Sequence, residues 1–380
     1  NSNILEARAG KPIKIIAVSA LSKSKDRGVD LTAYEWEDDP VALAKRDDID
    51  VFVELIGGES GQAKKATEEA IKHGKHVVTA NKAMLAIHGQ ELASAAENSG
   101  VNLRFEAAVA GGIPVIKTLT ESLAGNNITR IMGVMNGTCN YILTRMEDTG
   151  LAYEEIFEEA NQLGFLEADP NLDVGGIDAA HKLVLLSSIA YGTQVDFNGA
   201  ILEGIGRITI EDIKAASEMG YRIKLLGVSS LSDSGLSQTM RPCLVPLTSP
   251  LAQLNGGTNM IIIEGDAVGQ IVLRGAGAGE GPTASAVIAD ILDIARGINI
   301  PVFGQPANSL IKVPAISTSV ENSFYLRLNL KDEAGILAKV SAALANAGIS
   351  IDRIRQEGHE KDAAPVIIVT HPTDRDTLNK

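Results

Sequence analysis

Residues 164–182 read Gly-Phe-Leu-Glu-Ala-Asp-Pro-Asn-Leu-Asp-Val-Gly-Gly-Ile-Asp-Ala-Ala-His-Lys, and an apolar run follows them as far as Gly192. The apolar spacing predicts a helix over residues 177–190. On that helix Asp178 and Lys182 lie one turn apart and share one face. Three more carboxylates occupy the loop that leads into the helix: Glu167, Asp169 and Asp173.

This stretch has two interpretations. One is a solvated acidic loop followed by an ordinary helix salt bridge, which contributes only about 0.3–0.5 kcal/mol. The other is a site, because the helix after the loop is apolar and therefore partly buried, and a buried lysine needs partners. Carboxylates beside a lysine suit the binding of an ammonium-bearing substrate and the transfer of a proton.

Strand and helix patterns alternate before this stretch, which predicts a doubly wound parallel sheet. Strands are expected over residues 13–19, 50–56, 76–79 and 102–107, and helices over 62–73 and 89–98. The dinucleotide fingerprint Gly-x-Gly-x-x-Gly is absent. Because residues 1–9 read as the tail of a helix, we expect the first strand and its glycine loop to lie outside this sequence.

Composition bounds the classes of function. The net charge of −14 argues against nucleic-acid binding, which favours a basic surface. Two distant cysteines, Cys139 and Cys243, predict neither a disulfide framework nor a metal site, and a reducing cytoplasm is the expected compartment. No apolar run approaches the length of about 20 residues that a membrane-spanning helix requires.

The carboxyl ends of the predicted strands are where a ligand of such a sheet binds. Gly57 follows the second strand there, and Lys82 follows the third in the sequence Ala-Asn-Lys-Ala. After the strand at residues 13–19, no acid is present to hold ribose hydroxyls, and Ser22 and Lys23 could hold a 2′-phosphate instead. The alternatives are a turn with a solvated lysine at Lys82 and a basic surface turn at Lys23.

A second set of strands follows, over residues 128–135, 221–228, 239–245, 260–264 and 268–274, and predicts a mixed sheet. Residues 136–143 read Asn-Gly-Thr-Cys-Asn-Tyr-Ile-Leu, and we expect the Thr138 hydroxyl to cap the helix there. Lys117, on a helix predicted over 115–123, is expected to be solvated. The glycine-rich segment 275–283 opens another helix and could bind an anion through free N–H groups; the alternative is a flexible inter-domain turn.

In combination these motifs resemble homoserine dehydrogenase over nearly the whole chain. The most specific are the acidic stretch ending at Lys182 and the Asn-Gly-Thr-x-Asn-Tyr-Ile-Leu sequence. The last part of the chain resembles an ACT domain, a small ferredoxin-like module that binds amino acids and pairs with copies of itself. The chain stops before the usual end of that module, which we therefore expect to be incomplete.

The resemblance implies an α/β fold of three domains. A Rossmann-like nucleotide-binding domain spans residues 1–112 and is completed by about 283–312. A substrate-binding and dimerisation domain with a mixed sheet spans 113–282, and the ACT domain spans 322–380. A homodimer or homotetramer is expected, with threonine as the family-based effector of the ACT domain.

The reaction implied is reversible reduction of L-aspartate 4-semialdehyde to L-homoserine with NADP, NAD remaining possible. Lys182 is the expected general acid and base, with Asp178 beside it. The remaining assignments, carried over by resemblance, are Glu167, Asp173, Lys82, Thr138 and Asp178 for the substrate; Lys82, Gly57, Lys23, Gly279 and Thr283 for the cofactor; and Glu106, Val109, Gly111 and Ile113 for a monovalent cation such as Na+.

Two other functions stay open from the sequence. One is a different amino-acid dehydrogenase of the same architecture, which a panel of substrates would separate. The other is a catalytically inactive dehydrogenase scaffold that acts as an ACT-domain amino-acid sensor. The missing glycine loop favours the sensor, whereas the intact Glu167, Asp178 and Lys182 speak against it.

Overall fold

The structure is a computed structural model that describes residues 2–166, 169–317, 321–356 and 364–378. The strands, numbered along the chain, are β1 Ala17–Val18, β2 Glu35–Trp36, β3 Val51–Glu54, β4 His76–Thr79, β5 Leu103–Arg104, β6 Ile128–Val134, β7 Ile201–Leu202, β8 Tyr221–Ser232, β9 Gly235–Pro246, β10 Thr258–Gly265, β11 Gly269–Ala276, β12 Ala315–Ile316, β13 Tyr325–Leu330, β14 Ile351–Gln356 and β15 Ala364–Thr370.

The α-helices are α1 Ser2–Ala9, α2 Pro40–Ala44, α3 Gln62–Lys72, α4 Lys82–Asn98, α5 Val115–Lys117, α6 Gly137–Thr149, α7 Tyr153–Gln162, α8 Pro170–Val174, α9 Ile177–Tyr191, α10 Ile210–Glu218, α11 Glu280–Ala295, α12 Ile336–Asn346 and α13 Arg375–Leu378. Short 3₁₀ turns occupy Glu106–Ala108 and Ala307–Ser309, and a π-helical turn occupies Thr118–Ser122. Among the described residues, none of the helices is both long and apolar enough to cross a membrane.

The predicted α/β class is confirmed. Strands β3, β4 and β5 pair in parallel, and β1 pairs in parallel with β2. The second sheet has the order β11-β10-β6-β8-β9-β12 with β7 also on β9, and it mixes antiparallel and parallel pairs. A third sheet, β13-β15-β14, is antiparallel and carries helix α12 between its first two strands in sequence.

Helix α11 follows strand β11 of the mixed sheet in sequence but packs on the first domain. It lies against β4 and the turn at Glu106–Ala108. One small apolar cluster joins these elements, made by Val78, Ala107, Ala286, Val287 and Ile294. Helix α11 therefore lies against the domain that holds the parallel sheet.

Three predicted elements of the first domain were wrong in extent, and in the mixed sheet β8 ends four residues later and β9 begins four residues earlier than predicted. Only Ala17–Val18 of the predicted strand 13–19 pairs with a neighbour, and Ile15 stays 59% exposed, so this apolar run is not a fully buried strand. Helix α4 begins at Lys82 and not at residue 89, because the Asn81 side chain caps it by accepting from Met84 N at 3.0 Å. The strand predicted to reach residue 107 ends at Arg104, where the chain turns into a 3₁₀ helix.

The predicted solvated state of Lys117 was also wrong. Its side chain is only 22% exposed and its ammonium pairs with Asp293 and, at 3.5 Å, with Asp290. Both acids lie on α11. The lysine therefore ties the start of the second domain to the helix that packs on the first, a contact that local periodicity does not reveal.

The C-terminal sheet docks on both ends of α10. At the first turn, Tyr325 Oη donates to Asp212 Oδ1 at 2.6 Å, and Arg327 pairs with Asp212. At the last turn, Arg353 donates to the Met219 carbonyl at 2.6 Å, and Arg355 pairs with Glu218. Helix α10 in turn packs against α6.

Candidate active site

The centre of the site is the first turn and a half of α9. The glycines before it end the previous helix, and Gly176 takes a left-handed φ of 81° at the start of α9. Asp178 and Lys182 are both buried, at 6% and 7% exposure. Their charged groups meet, since Lys182 Nζ donates to Asp178 Oδ2 at 2.8 Å. The solvated salt bridge considered from the sequence is therefore wrong for this pair.

A second lysine reaches the same carboxylate. Lys82, at the start of α4, places its Nζ 2.8 Å from Asp178 Oδ1, and its side chain is 28% exposed. Burial alone would raise the pKa of the Asp178 carboxyl, but Lys182 and Lys82 outweigh burial and hold that pKa well below its ordinary value. Asp178 is therefore ionised and bridges two ammonium groups from different domains.

The amide of Asn136 completes the surroundings of this carboxylate. Its Nδ2 donates to Asp173 Oδ1 at 2.9 Å and to Asp178 Oδ2 at 3.3 Å. Its Oδ1 accepts from Cys139 N at 2.8 Å, so Asn136 is the cap of α6. The prediction that Thr138 caps this helix was therefore wrong, because the asparagine two residues earlier occupies the cap position.

Thr138 instead holds the acidic loop. Its Oγ1 donates to the Phe165 carbonyl at 2.8 Å, and the Phe165 ring stacks on Tyr141 with centroids 4.5 Å apart. The loop is thus fixed against α6 immediately before Glu167. Glu167 itself lies outside the described residues, so its predicted place in the site remains a prediction.

The Met135 carbonyl is a second anchor for Lys182. It accepts from Lys182 Nζ at 2.8 Å and from Asn259 Nδ2 at 3.0 Å. An ammonium carries three N–H donors, and the carbonyl and Asp178 use two of those on Lys182. Among the described residues no other group accepts from Lys182, so its third N–H is available to donate to a substrate oxygen.

The predicted cofactor side of the site is built from the ends of β3 and β4. Gly57 follows β3 with a left-handed φ of 85°. The buried Glu54 carboxylate accepts from Gly57 N at 3.1 Å and from the Thr79 hydroxyl at 2.5 Å. Asn81 Nδ2 donates to the Gly58 carbonyl at 2.8 Å. These bonds fix the Gly57 turn beside the start of α4, which carries Lys82.

Gly279 and Thr283 lie at the start of α11. Gly279 is the residue before the helix, with a φ of 112° that favours glycine, and because glycine has no side chain it cannot cap the helix. Thr283 N already bonds the Gly279 carbonyl at 3.0 Å. The first N–H groups of this 16-residue helix form the kind of positive end that binds phosphate, so this feature fits a dinucleotide.

Lys23 lies in an exposed turn after β1, apart from the lysines around Asp178. Its Nζ is 5.8 Å from the centroid of the Trp36 ring, and Arg27 lies 5.7 Å from the same ring. Arg27 also donates to the Ser22 carbonyl at 2.7 Å. Arg27 is a member of this basic turn that sequence reasoning missed.

The four candidate cation ligands lie on one tight, buried bend. Ala110 and Gly111 have left-handed φ values of 69° and 55°. Both oxygens of the Glu106 carboxylate are occupied, accepting from Ile116 N and Lys117 N at 2.9 Å each, and burial raises the pKa of this carboxyl to about 7. The bend thus brings backbone carbonyls and one carboxylate together, and both are oxygen ligands of the kind that a hard cation takes.

The structure thus joins Lys182, Asp178, Asp173 and Lys82, whereas Thr138 bonds the Phe165 carbonyl of the acidic loop. Sequence reasoning missed Asn136 and Asn259, which hold these groups. The turn signal at residues 136–137 marked the first of them, but nothing in the local sequence marks Asn259, because its contact depends on the pairing of β6 with β10.

Family models cover the chain in three consecutive parts. Residues 2–106 match the homoserine dehydrogenase NAD binding domain. Residues 114–292 match homoserine dehydrogenase, and residues 324–380 match the ACT domain.

Individual relatives agree with these matches. The homoserine dehydrogenase of Neisseria gonorrhoeae is 43% identical, over 98% of this chain and 87% of the relative; that of Bacillus subtilis is 37% identical, over 96% and 85%. The crystal structure of a homoserine dehydrogenase from Thiobacillus denitrificans superposes with a TM-score of 0.94 at 40% identity, covering 100% of this chain and 88% of that one. A hyperthermophilic archaeal homoserine dehydrogenase in complex with NADPH gives a TM-score of 0.59 at 29% identity, covering 68% and 75%.

Proposed function

The chain belongs to the homoserine dehydrogenase family, and we propose that Lys182, held by Asp178, is the general acid and base of that reaction here. The observation that carries this role is the buried Lys182–Asp178 pair, in which the described residues accept from two of the three N–H groups of the lysine. The experiment is the steady-state reduction of L-aspartate 4-semialdehyde by NADPH, in the wild type and in the Lys182 variant of the Discussion. The amino-acid sensor is not favoured, because residues 114–292 match homoserine dehydrogenase and Lys182 and Asp178 form a buried pair.

The chemistry follows from where charge develops. A nicotinamide cofactor supplies the hydride when it is bound. Negative charge then grows on the aldehyde oxygen, and an acid within about 2.6–3.2 Å neutralises it. Lys182 donates the proton, Asp178 stabilises the lysine before and after transfer, and Lys82 keeps Asp178 ionised. In the reverse direction Lys182 accepts the proton of the alcohol.

The substrate is proposed to lie between the acidic loop and α6. Glu167 binds its ammonium, and Asp173, oriented by Asn136, shapes the loop. Thr138 fixes that loop through the Phe165 carbonyl. A carboxylate opposite an ammonium and a lysine opposite an aldehyde oxygen together select an amino acid with a reducible side chain.

NADP is proposed as the preferred cofactor, because Lys23 and Arg27, in the exposed turn after β1, lie 5.8 and 5.7 Å from the centroid of the same Trp36 ring. Replacing Lys23 with alanine removes a cation that the 2′-phosphate would contact. We therefore expect the KM for NADPH to rise about 10-fold, which corresponds to the loss of one charge-assisted contact. The KM for NADH should change less than twofold. Lys14→Ala, an exposed lysine before β1, is the control. Equal changes for both cofactors would contradict the proposal.

A monovalent cation such as Na+ is proposed at the bend formed by Glu106, Val109, Gly111 and Ile113. A ligand that binds only the folded state raises the midpoint of thermal unfolding. We therefore expect a higher midpoint in NaCl than in tetramethylammonium chloride at equal ionic strength. Identical midpoints in the two salts would argue against the site.

The ACT domain binds an amino acid in the proposed regulation, with threonine as the effector, and α10 carries its effect to α6. Arg327→Met removes the pair with Asp212 at one end of α10. We expect it to reduce inhibition by threonine at least severalfold while turnover without threonine is kept. Arg130→Met, which breaks an exposed pair with Glu264, should leave inhibition unchanged. Unaltered inhibition in Arg327→Met would exclude this route.

A homodimer or homotetramer and a cytoplasmic location stay predictions.

A further inference from the structure

Asn259 is the second side chain on the carbonyl that holds Lys182. It lies on β10, is 1% exposed, and donates to the Met135 carbonyl at 3.0 Å, the same oxygen that accepts from Lys182 at 2.8 Å. Met135 directly follows β6, the neighbour of β10 in the sheet. A change in the Asn259 side chain therefore reaches Lys182 through one shared oxygen.

The other side of the Asn259 amide is covered by Gly277. A Cβ built on Gly277 would lie 1.9 Å from Asn259 Nδ2 and 2.2 Å from its Cγ. No left-handed backbone requires glycine at this position, so the need for glycine is steric. The backbone of the glycine-rich segment 275–279 rests directly on the amide.

Segment 275–279 is in turn packed on the bend at residues 110–112. The Ala276 carbonyl accepts from Gly112 N at 3.1 Å, and the Gly277 carbonyl lies 2.6 Å from a Cβ built on Gly111. The same segment leads to Gly279 and the open end of α11. A continuous path of close contacts thus runs from the proposed phosphate-binding end of α11 to Lys182.

The amide of Asn259 is otherwise weakly held. Its Oδ1 is buried and has no hydrogen-bond partner among the described residues. A buried acceptor without a partner is unfavourable, so this orientation is retained for the bond that Nδ2 makes to Met135. The position of Asn259 therefore depends on Met135 on one side and on Gly277 on the other.

We propose that Asn259 is a positioning residue that links the glycine-rich segment 275–279 to Lys182 through the Met135 carbonyl. The inference rests on the proposed role of Lys182. Asn259 fixes the carbonyl that orients the lysine, and Gly277 fixes Asn259. Displacing either one moves the ammonium away from the aldehyde oxygen without touching the substrate.

The test compares Asn259→Ala, Gly277→Ala and the double variant. Each single change should lower kcat by about 10–100-fold, since small misplacements of a catalytic group have effects of that size, with KM for the aldehyde changed less than threefold. Because both changes break one path, the double variant should be no slower than the slower single variant. Asn102→Ala is the matched control, a buried asparagine whose Oδ1 also has no partner in the described chain, and it should keep kcat.

The inference would be overturned if the fold-losses of kcat in the two single variants multiplied in the double variant, or if kcat were unchanged in Asn259→Ala. If Asn259→Ala does not fold, Asn259→Leu keeps the volume without the donor and must show the same loss of kcat. A shift in the pH profile of kcat in these variants separates misplacement of an acid from loss of stability. An inactive wild type would instead refute the proposed function, so the two failures are distinguishable.

Discussion

Replacing Lys182 with methionine is expected to lower kcat by about 10²–10⁴-fold, the usual contribution of a general acid. Methionine keeps most of the length and volume of the lysine stem but cannot donate a proton. The fold should survive, because Lys82 remains 2.8 Å from Asp178 and the carboxylate is not left alone. Stopped-flow and steady-state oxidation of NADPH with L-aspartate 4-semialdehyde measure the effect, and the dissociation constant of NADPH should stay within about twofold, less than 0.5 kcal/mol.

The matched control for this variant is Lys45→Met. Lys45 is also paired with a carboxylate, Glu69 at 3.3 Å, but it lies in the first domain and is 46% exposed. Its loss should leave kcat unchanged, since exposed pairs contribute little. Turnover in Lys182→Met equal to that of the control would rule out Lys182 as the acid and move attention to Lys82.

The half of the site that lies on one helix could be predicted from the sequence. Asp178 and Lys182 are joined by a local rule, the period of the α-helix, and apolar residues after them predict burial. The structure confirms α9 over Ile177–Tyr191. Strands β6, β8, β9, β10 and β11 of the mixed sheet were predicted for the same reason, because alternation and short apolar runs are properties of neighbouring residues, whereas the two-residue strands β7 and β12 were not predicted.

The contacts that make the pair a site could not be predicted in this way. Lys82 reaches Asp178 from another domain, and Asn136 joins two carboxylates from separate helices. Neither contact leaves a periodic trace in the sequence. Lys117 was misjudged for the same reason, since the two acids that bury its ammonium lie on α11. Tertiary contact decided the state of each of these side chains, and propensity had no bearing on it.

Replacing Asp178 with asparagine is expected to have the second large effect, a loss of about 3 kcal/mol in the free energy of unfolding, because removing one partner of a buried ion pair leaves the other uncompensated. Asparagine keeps the shape but leaves the ammonium groups of Lys82 and Lys182 facing each other. Removing one partner of a buried ion pair costs about 3–5 kcal/mol. We expect the lower end of that range, since Lys82 is 28% exposed and can turn towards water. Chemical and thermal unfolding followed by circular dichroism measure it.

The stability difference between the wild type and Asp178→Asn is expected to depend on pH. The pKa of Asp178 is lowered in the folded protein, so its contribution to stability is complete above the unfolded value of about 3.9 and is lost as the pH falls below it. The difference in stability between wild type and Asp178→Asn should therefore be constant from pH 8 to pH 5 and shrink below pH 4. Glu264→Gln, which breaks the more exposed pair with Arg130, should cost less than about 1 kcal/mol. An equal cost in both variants would mean that Asp178 is not the buried link between the two lysines.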